Sequence, residues 1–427
     1  MDYSFQSAGS LITIYNKLTS MGNLQSQEWN EISTYDDHRD CLRDNDNEPP
    51  TLQHVADKIK NGDISQIVIL AGAGISVAAG IPDFRSPGSG LYDNLGKYQL
   101  PSPEAIFDID FFDQNPFPFF RLSTELFPGK FRPTLTHYFL TLLHQKEVLR
   151  RVFTQNIDTL ESVAGLPEDK YVACHGNFST ATCRKCKTEY TQQWMKEQLF
   201  NKKTEADTET DSESSDVEAA VLNIPIPLCT RCGGIVKPDI TFFGESLPPR
   251  FEELVVPDSQ RCDLLLVLGT SLQVYPVGRL PDVVGPWVPR VLFNRDPVHI
   301  AEKCKMSEYE SKVMGLDKVR SEQEDDDDVV DSGFWFDLEE NYRDVFAQGN
   351  CDDTVKEFVD LLGWTKELEI LMQEGNARFD AAQEVEEMKK GEVSKKEEES
   401  KDGTKEVNQD QDKEQELSNL MAKTNIE

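Results

Sequence analysis

Residues 67–71, Ile-Val-Ile-Leu-Ala, form an apolar, β-branched run of the kind found in a parallel strand buried on both faces. Gly72-Ala-Gly74 follows at once, and then Ile75-Ser-Val-Ala-Ala79. Two glycines one residue apart let the backbone turn sharply and come close to a ligand. The Ser-Val-Ala-Ala segment can then start a helix whose free N–H groups face an anion. This is the grammar of a phosphate-binding strand–turn–helix, but not of the usual dehydrogenase turn. Where Gly-x-Gly-x-x-Gly needs its third glycine the chain has Val77, and the next glycine is Gly80. Ile81-Pro-Asp-Phe-Arg85 comes directly afterwards, a polar and aromatic cluster that a plain dinucleotide clamp does not need.

Later β-like runs repeat the theme. Arg151–Thr154, Leu264–Leu268 and Arg290–Phe293 are each followed by a polar or glycine-bearing turn: Gln155-Asn-Ile-Asp158, Gly269-Thr-Ser271 and Asn294-Arg-Asp296. Ligand groups at the carboxyl ends of successive strands are typical of a doubly wound parallel sheet. The expected fold class is therefore α/β, a Rossmann-like large domain. Helical patterns are predicted from Leu52, capped by Thr51 and ended by Asn61-Gly62, over Leu135–Leu149, and over Phe358–Leu371. Two stretches interrupt the α/β pattern. Residues 86–147 are rich in Pro and Phe and suggest an inserted helical module; residues 177–239 hold paired cysteines. The expected organisation is a flexible segment over 1–48, a folded region over 49–370 and a disordered charged tail over 371–427.

Charge supports that division. The formal net charge is −33, concentrated in a few places. Residues 204–223 hold seven acids and no base, 322–328 is nearly all carboxylate, and 375–427 carries fifteen acids, nine bases and one aromatic, Phe379. Such segments bury too little apolar surface to offset their ordering entropy and are predicted to be disordered. The acidic field repels phosphate, which disfavours direct nucleic-acid binding, and favours a basic partner or substrate. No apolar run approaches the roughly 18 residues of a membrane span, and the N-terminus has the pattern of neither a secretory leader nor a mitochondrial presequence. The nine cysteines, four of them in Cys-x-x-Cys pairs, suit a reducing compartment better than a disulfide framework. An intracellular protein without a membrane partner is expected; its oligomeric state is not legible.

Cys183-x-x-Cys186 and Cys229-x-x-Cys232 are separated by forty-two residues, and Gly233-Gly234 gives the second pair its turn. Four thiolates fill a tetrahedral zinc and leave no position for water, so the predicted zinc is structural. Zinc ribbons often bind nucleic acid, but the acid-loaded segment between these pairs argues against a DNA-binding finger.

The glycine turn with Pro82-Asp-Phe-Arg85, Gln155-Asn-Ile-Asp158, Cys174-His-Gly176, the cysteine pairs, Lys237-Pro-Asp-Ile-Thr-Phe-Phe-Gly-Glu245, Gly269-Thr-Ser271 and Asn294 occur in this order. Together they resemble the sirtuin family of NAD-dependent protein deacylases over roughly residues 50–370. The run Phe84–Tyr92, Tyr342-Arg-Asp-Val345 and Leu361-Leu-Gly-Trp364 are most similar to the class I branch, which includes nuclear and cytoplasmic deacetylases. The resemblance implies a Rossmann-type large domain and a small domain made of the zinc module and the helical insertion. NAD and an acetyl-lysine protein segment, histones or tubulin among the substrates, would meet between them, in the cytoplasm and/or nucleus. It implies that Gly72, Ala73, Gly74 and Ser76 cradle the pyrophosphate with Arg85. Asp83 and Asp158 would meet the nicotinamide carboxamide, and Phe84 would lie against the reacting ribose. Gln155 belongs to the same NAD-binding set. Gly269, Thr270, Ser271, Asn294 and Asp296 would hold the adenosine side, with the backbone near Cys351 approaching the adenine. Thr241 stands where the family commonly has valine, and Asp296 where many members have glutamate.

The implied chemistry begins at the nicotinamide–ribose bond. Its cleavage gives C1′ oxocarbenium character, the acetyl-lysine oxygen attacks there, and a ribose hydroxyl must then lose its proton. His175 is the expected general base, since imidazole titrates near working pH, and Asn156 would orient the ribose or a water. NAD is consumed, not reduced. The alternatives with the same activated C1′ are protein ADP-ribosyl transfer and removal of longer acyl chains. If the backbone at Cys174 is extended, its side chain points away from His175 and serves packing. Asp239 and Glu245 could be solvated charges and are assigned no catalytic role.

Overall fold

The computed structural model describes residues 49–86, 88, 90–98, 100–200, 225–301, 303–304, 329–330 and 333–401, together with Leu42. The rest of the segment over 1–48, the acidic stretches 204–223 and 322–328, and 402–427 lie outside the described residues. Leu42 is buried in the main core, and its N–H donates to the Tyr342 carbonyl at 3.2 Å.

A six-stranded parallel sheet organises the large domain. Its strands are β1 (Ile67–Ala71), β2 (Leu149–Thr154), β3 (Tyr171–Ala173), β7 (Leu264–Leu268), β8 (Arg290–Asn294) and β11 (Asp344–Gln348). Between them in the chain, β4 (Gly176–Cys183), β5 (Glu189–Thr191) and β6 (Val236–Ile240) form a separate antiparallel sheet, and β9 (Lys303–Cys304) pairs with β10 (Val329–Val330). The large sheet runs β11-β8-β7-β1-β2-β3. The chain thus winds outward from β1 to β3 on one side, then returns beside β1 with β7 and winds outward on the other. Ile69 lies level with Val152 on one flank and Leu266 on the other. All five residues of β1 and of β7 are buried, which is why neither shows apolar–polar alternation. Full burial of each Val, Leu or Ile there stabilises by about 1.5–3 kcal/mol.

The strand order reverses between β1 and β7, where a doubly wound sheet opens a crevice at its carboxyl edge. The two turns leaving these strands are pressed together. Gly72 N–H donates to the Leu268 carbonyl at 2.9 Å and Gly74 N–H to the Gly269 carbonyl at 2.8 Å. A Cβ on Gly72 would stand 2.6 Å from the Thr270 Cβ, and one on Gly74 2.6 Å from the Gly269 Cα. These glycines are therefore required by contact between loops, and their own N–H groups are not free for an anion. The segment after them is also not an α-helix: Ala73–Ala79 is a 3₁₀ coil closed by left-handed Gly80.

The small domain joins the β4–β6 sheet to the helices Ile109–Gln114 and Phe117–Leu126 through one aromatic core containing Phe107, Phe112, Phe119, Phe120 and Phe242. The helix Leu135–Gln145, which the sequence places in the inserted module, instead packs in the large core. It also stops earlier than its apolar pattern suggests. Glu147 turns left-handed at φ 62° and Leu149 already begins β2. Leu142 and Leu143 in the helix, Leu149 in β2 and Val148 between them are all apolar, so periodicity alone does not mark the junction.

The end of the chain departs further. Cys351–Leu362 is one helix, closed by Gly363 at φ 76°, and Thr365–Lys401 is a second. The tail predicted to be disordered from 371 is helical as far as Lys401. Leu368 and Leu371 anchor its first turns in the main core. Tyr138 Oη then donates to Asn376 Oδ1 at 3.1 Å, Arg132 pairs with Asp380, and Lys196 with Glu386. Its Ala, Glu, Gln, Lys and Met residues are good helix formers once a register is set. No helix among the described residues is long and apolar enough to cross a membrane.

Gly74→Ala is expected to destabilise the large domain by roughly 1–3 kcal/mol, because the added methyl meets backbone and not a movable side chain. Urea unfolding of the variant against the parent checks this through a lower midpoint at unchanged slope.

Candidate active site

A cleft of about 840 Å³ lies along the carboxyl edge of the sheet and under the small domain. It gathers most of the residues that the sequence singles out. Gly72, Ala73, Gly74, Asp83, Phe84 and Arg85 come from the segment after β1, Gln155 and Asn156 from the turn after β2, and His175 from the β3–β4 junction. Gly269, Thr270 and Ser271 follow β7, Asn294 and Asp296 follow β8, and Cys351 opens the helix after β11. Ser76 and Asp158 line a smaller adjoining cavity with Asn156 and Phe84.

Side chains tie these turns into one frame. Gln155 Nε2 donates to Thr270 Oγ1 at 2.9 Å, so the turns after β2 and β7 are joined. Asn156 Nδ2 donates to the Gly72 carbonyl at 3.1 Å and to Ser76 Oγ at 3.3 Å, joining β2 to the glycine turn. Ser76 Oγ in turn donates to Asp158 Oδ2 at 2.6 Å. Ser76 is thus a buried support of Asp158 and does not itself line the main cleft. Asp83 has a local duty too: its carboxylate accepts from Arg85 N at 3.1 Å, Ser86 N at 2.6 Å and the Ser86 hydroxyl. On the far side, Asn294 Nδ2 donates to the Asp296 carbonyl at 2.8 Å, while the Asp296 side chain is exposed. Cys351 is buried against Phe293.

His175 sits where the two domains meet. Its Nδ1 lies 3.0 Å from the Gln155 carbonyl, which fixes the N–H on that nitrogen. Nε2 is then the lone-pair nitrogen; it is buried and has no hydrogen bond among the described residues. Burial holds the imidazole pKa below its ordinary value, with the Gln155 carbonyl opposing that shift. The main chain is equally constrained. Thr241 N–H donates to the His175 carbonyl at 2.7 Å, and a Cβ on the next residue, Gly176 (φ 64°), would fall 1.9 Å from the Asp239 carbonyl oxygen. Neighbouring Cys174 packs in the core on the other side, with burial pushing its thiol pKa up.

At the far end of the small domain, Cys183, Cys186, Cys229 and Cys232 converge with all four sulfurs within 4.8 Å of one another. Cys183–Cys232 and Cys186–Cys229 are each 3.5 Å apart. Sulfurs around a tetrahedral zinc, with bonds of about 2.3 Å, stand about 3.8 Å apart. Gly234 leaves the room they need, since a Cβ there would lie 3.2 Å from Cys183 Sγ.

The Sir2 family model matches residues 72–276. The NAD-dependent protein deacetylase sirtuin-2 of Danio rerio is 44% identical over 333 residues, covering 78% of this chain and 77% of that protein. The NAD-dependent protein deacetylase sirtuin-3 of Mus musculus is 42% identical over 330 residues, covering 77% and 81%. The NAD-dependent protein deacetylase hst2 of Schizosaccharomyces pombe is 38% identical over 325 residues, covering 75% and 79%. The chain belongs to the Sir2 family.

In this Sir2-family chain the cysteine cluster fits a structural zinc. The donor set is closed, and neighbouring hydroxyls bond to the sulfurs: Tyr190 Oη lies 3.1 Å from Cys229 Sγ and Thr188 Oγ1 3.1 Å from Cys186 Sγ. The sheet it pins has only three short strands. Cys229→Ser is expected to lower bound zinc well below one equivalent and to expose the module to protease. Elemental analysis and limited proteolysis check both.

Sequence reasoning missed two parts of this Sir2-family site. One is Glu161, fully buried three residues after Asp158, with Oε1 unpartnered among the described residues. Nothing in Thr159-Leu-Glu-Ser162 distinguishes it from a surface carboxylate. Burial first, and then the Asp158 charge, push its pKa up to about 8. Glu161 therefore keeps its proton at neutral pH. The other is the side-chain bonding of Glu245, which is not a solvated charge: Lys237 Nζ lies 2.8 Å from its Oε2.

The folded state keeps the Glu161 proton that the unfolded chain loses near the ordinary 4.5. Folded protein thus binds more protons between about pH 4.5 and 8, and this group's contribution falls as pH rises through that window. Thermal melts of Glu161→Gln from pH 5 to 8 should accordingly be flatter with pH than those of the parent.

Proposed function

We propose that this cleft catalyses NAD-dependent deacetylation of protein lysines, moving the acetyl group to ADP-ribose and releasing nicotinamide. The observation that carries the reading is His175: Nδ1 committed to the Gln155 carbonyl, Nε2 unpartnered among the described residues, and the ring at the wall of the cleft. NAD supplies an electrophilic ribose carbon as its nicotinamide bond breaks. Everything else is asked of the chain. His175 Nε2 takes the ribose hydroxyl proton, and lowered basicity keeps it neutral and ready at pH 7. Asp158, oriented by Ser76 and by Leu160 N–H at 3.0 Å, presents a fixed carboxyl group to the nicotinamide end. Asp83 shapes the adjoining loop through its bonds to Arg85 and Ser86, more than it contacts the carboxamide. Phe84, edge-on to Phe107 at 5.9 Å, excludes water from the ribose. Arg85 holds the pyrophosphate where it passes the Gly72–Gly74 turn, whose two glycine N–H groups are already committed to Leu268 and Gly269. Thr270, Ser271, Asn294, Asp296 and the Cys351 backbone hold the adenosine side.

The acyl-lysine peptide adds as a strand at the Gly244 end of the Thr241–Glu245 segment. Upstream main-chain groups are already used: Thr241 N–H by His175, Phe242 N–H by Glu245, and Phe243 by Phe107 and Ile109. Main-chain recognition fits a broad substrate range. The class I branch, histones or tubulin as targets, and a cytoplasmic and/or nuclear location belong to the same proposal, supported by the motifs around Phe84–Tyr92 and the acidic charge balance. ADP-ribosyl transfer and longer-chain deacylation remain the second readings, since they use the same carbon.

Purified protein incubated with NAD and an acetyl-lysine peptide should yield deacetylated peptide, nicotinamide and acetylated ADP-ribose by mass spectrometry. Retained acetyl with intact NAD overturns the reading, and label passing from NAD onto protein favours ADP-ribosylation. His175→Ala should lower the rate by about 10²–10⁴-fold. In the parent, the acid limb of kcat/KM should fall below the ordinary imidazole value of 6.5.

A further inference from the structure

Lys237 is buried, with its side chain 6% exposed, directly behind the segment that forms one wall of the cleft. Its ammonium donates to the Ile240 carbonyl at 2.6 Å, pairs with Glu245 Oε2 at 2.8 Å and stands 4.2 Å from the Phe242 ring centroid. The same Oε2 accepts the Phe242 N–H at 3.0 Å, and Glu245 N–H closes the turn on the Phe242 carbonyl at 3.0 Å. Oε1 faces Arg184 Nη1 at 3.4 Å, and Arg184 Nε donates to Asp113 Oδ1 at 3.1 Å. One carboxylate therefore fastens the loop 242–245 to itself, to a buried cation on β6, and to the arginine between Cys183 and Cys186.

We propose that Glu245, clamped between Lys237 and Arg184, is a positioning residue that sets the shape of the peptide-binding edge and thereby the affinity for the acyl-peptide, without acting on NAD. The proposal rests on the deacetylase reading for the identity of the peptide. The loop leaves Gly244, at φ 92° and with Ile109 Cγ2 2.9 Å from where its Cβ would be, as the exposed backbone lining the cleft. Its neighbour Phe243 is tied by 2.8 and 3.1 Å bonds to Phe107 and Ile109. Phe242 is seated against Phe119 at 4.7 Å and Phe112 at 5.5 Å. With both neighbours fixed, the direction of the Gly244 peptide depends on how tightly the 242–245 turn closes. Removing the carboxylate leaves a buried ammonium short of its counter-charge, and the loop must open to hydrate it. The glycine turn and His175's bond to Gln155 lie on other elements and are left in place.

The test uses the full chain. Peptide is varied at saturating NAD, and NAD at saturating peptide. Glu245→Gln should raise the peptide KM by about tenfold or more, with kcat and the NAD KM within about twofold of the parent. Arg184→Gln, which breaks only the outer bond, should give a smaller rise of the same kind, and Glu245→Asp should recover part of the loss. An unchanged peptide KM in Glu245→Gln, or an equal rise in the NAD KM, overturns the proposal. Where Glu245→Gln does not fold, Arg184→Gln decides, and an unchanged peptide KM there overturns it. Should the parent show no deacetylation, the failure belongs to the functional reading. Fluorescence anisotropy of a labelled acetyl-lysine peptide on parent and variants then tests the clamp by itself.

Discussion

The contact between the turns leaving β1 and β7 is the constraint on which the rest of the molecule depends. Both strands are buried completely, so their ends have almost no freedom to separate, and the turns meet backbone to backbone at Gly72, Gly74 and Gly269. Bonds from Gln155 to Thr270 and from Asn156 to Gly72 then bring the β2 turn to the same place. The floor of the cleft is thus made by main chain held rigid by the sheet. Flexible side chains have little part in it. Electrostatic preorganisation of this kind spares a catalyst the cost of reorganising at the moment of reaction.

His175 extends that rigidity to the small domain. Its ring is oriented by a β2-turn carbonyl and its own carbonyl is held by Thr241, while Gly176 lets β6 approach closer than any side chain would permit. The proposed base and the proposed peptide-binding edge therefore share one short stretch of backbone. Asp158 and Glu161 illustrate the opposite use of burial. Two carboxylates three residues apart are both placed out of water, and burial together with the neighbouring Asp158 pushes the Glu161 pKa up to about 8.

Much of this was legible in the chain. β1 and β7 declare themselves as unbroken apolar runs, the four cysteines by spacing alone, and the turns by their position after strands. What was not legible depends on distance. The requirement for Gly72 and Gly74 was read as room for a ligand, because the partner loop is nearly two hundred residues away in sequence. Glu245 looked solvated because its partners, Lys237 and Arg184, come from two different elements. The 3₁₀ form of Ala73–Ala79, pressed against the Gly269 turn at Gly74, has no mark in its local sequence. The long final helix was missed because charge composition describes an isolated segment. A helix whose first turns are nailed to a core no longer has to nucleate by itself.

That last helix has a mechanical consequence. It leaves the large domain through apolar packing at Leu368 and Leu371, then reaches small-domain partners at Gly129 through Gln383, whose Nε2 donates at 2.6 Å, and at Lys196 through Glu386. It bridges the two domains, with one end welded by apolar packing and the other held by a hydrogen bond and an ion pair. Salt screens the ionic end and leaves the welded end untouched. The two ends of this link between the lobes therefore respond differently to ionic strength.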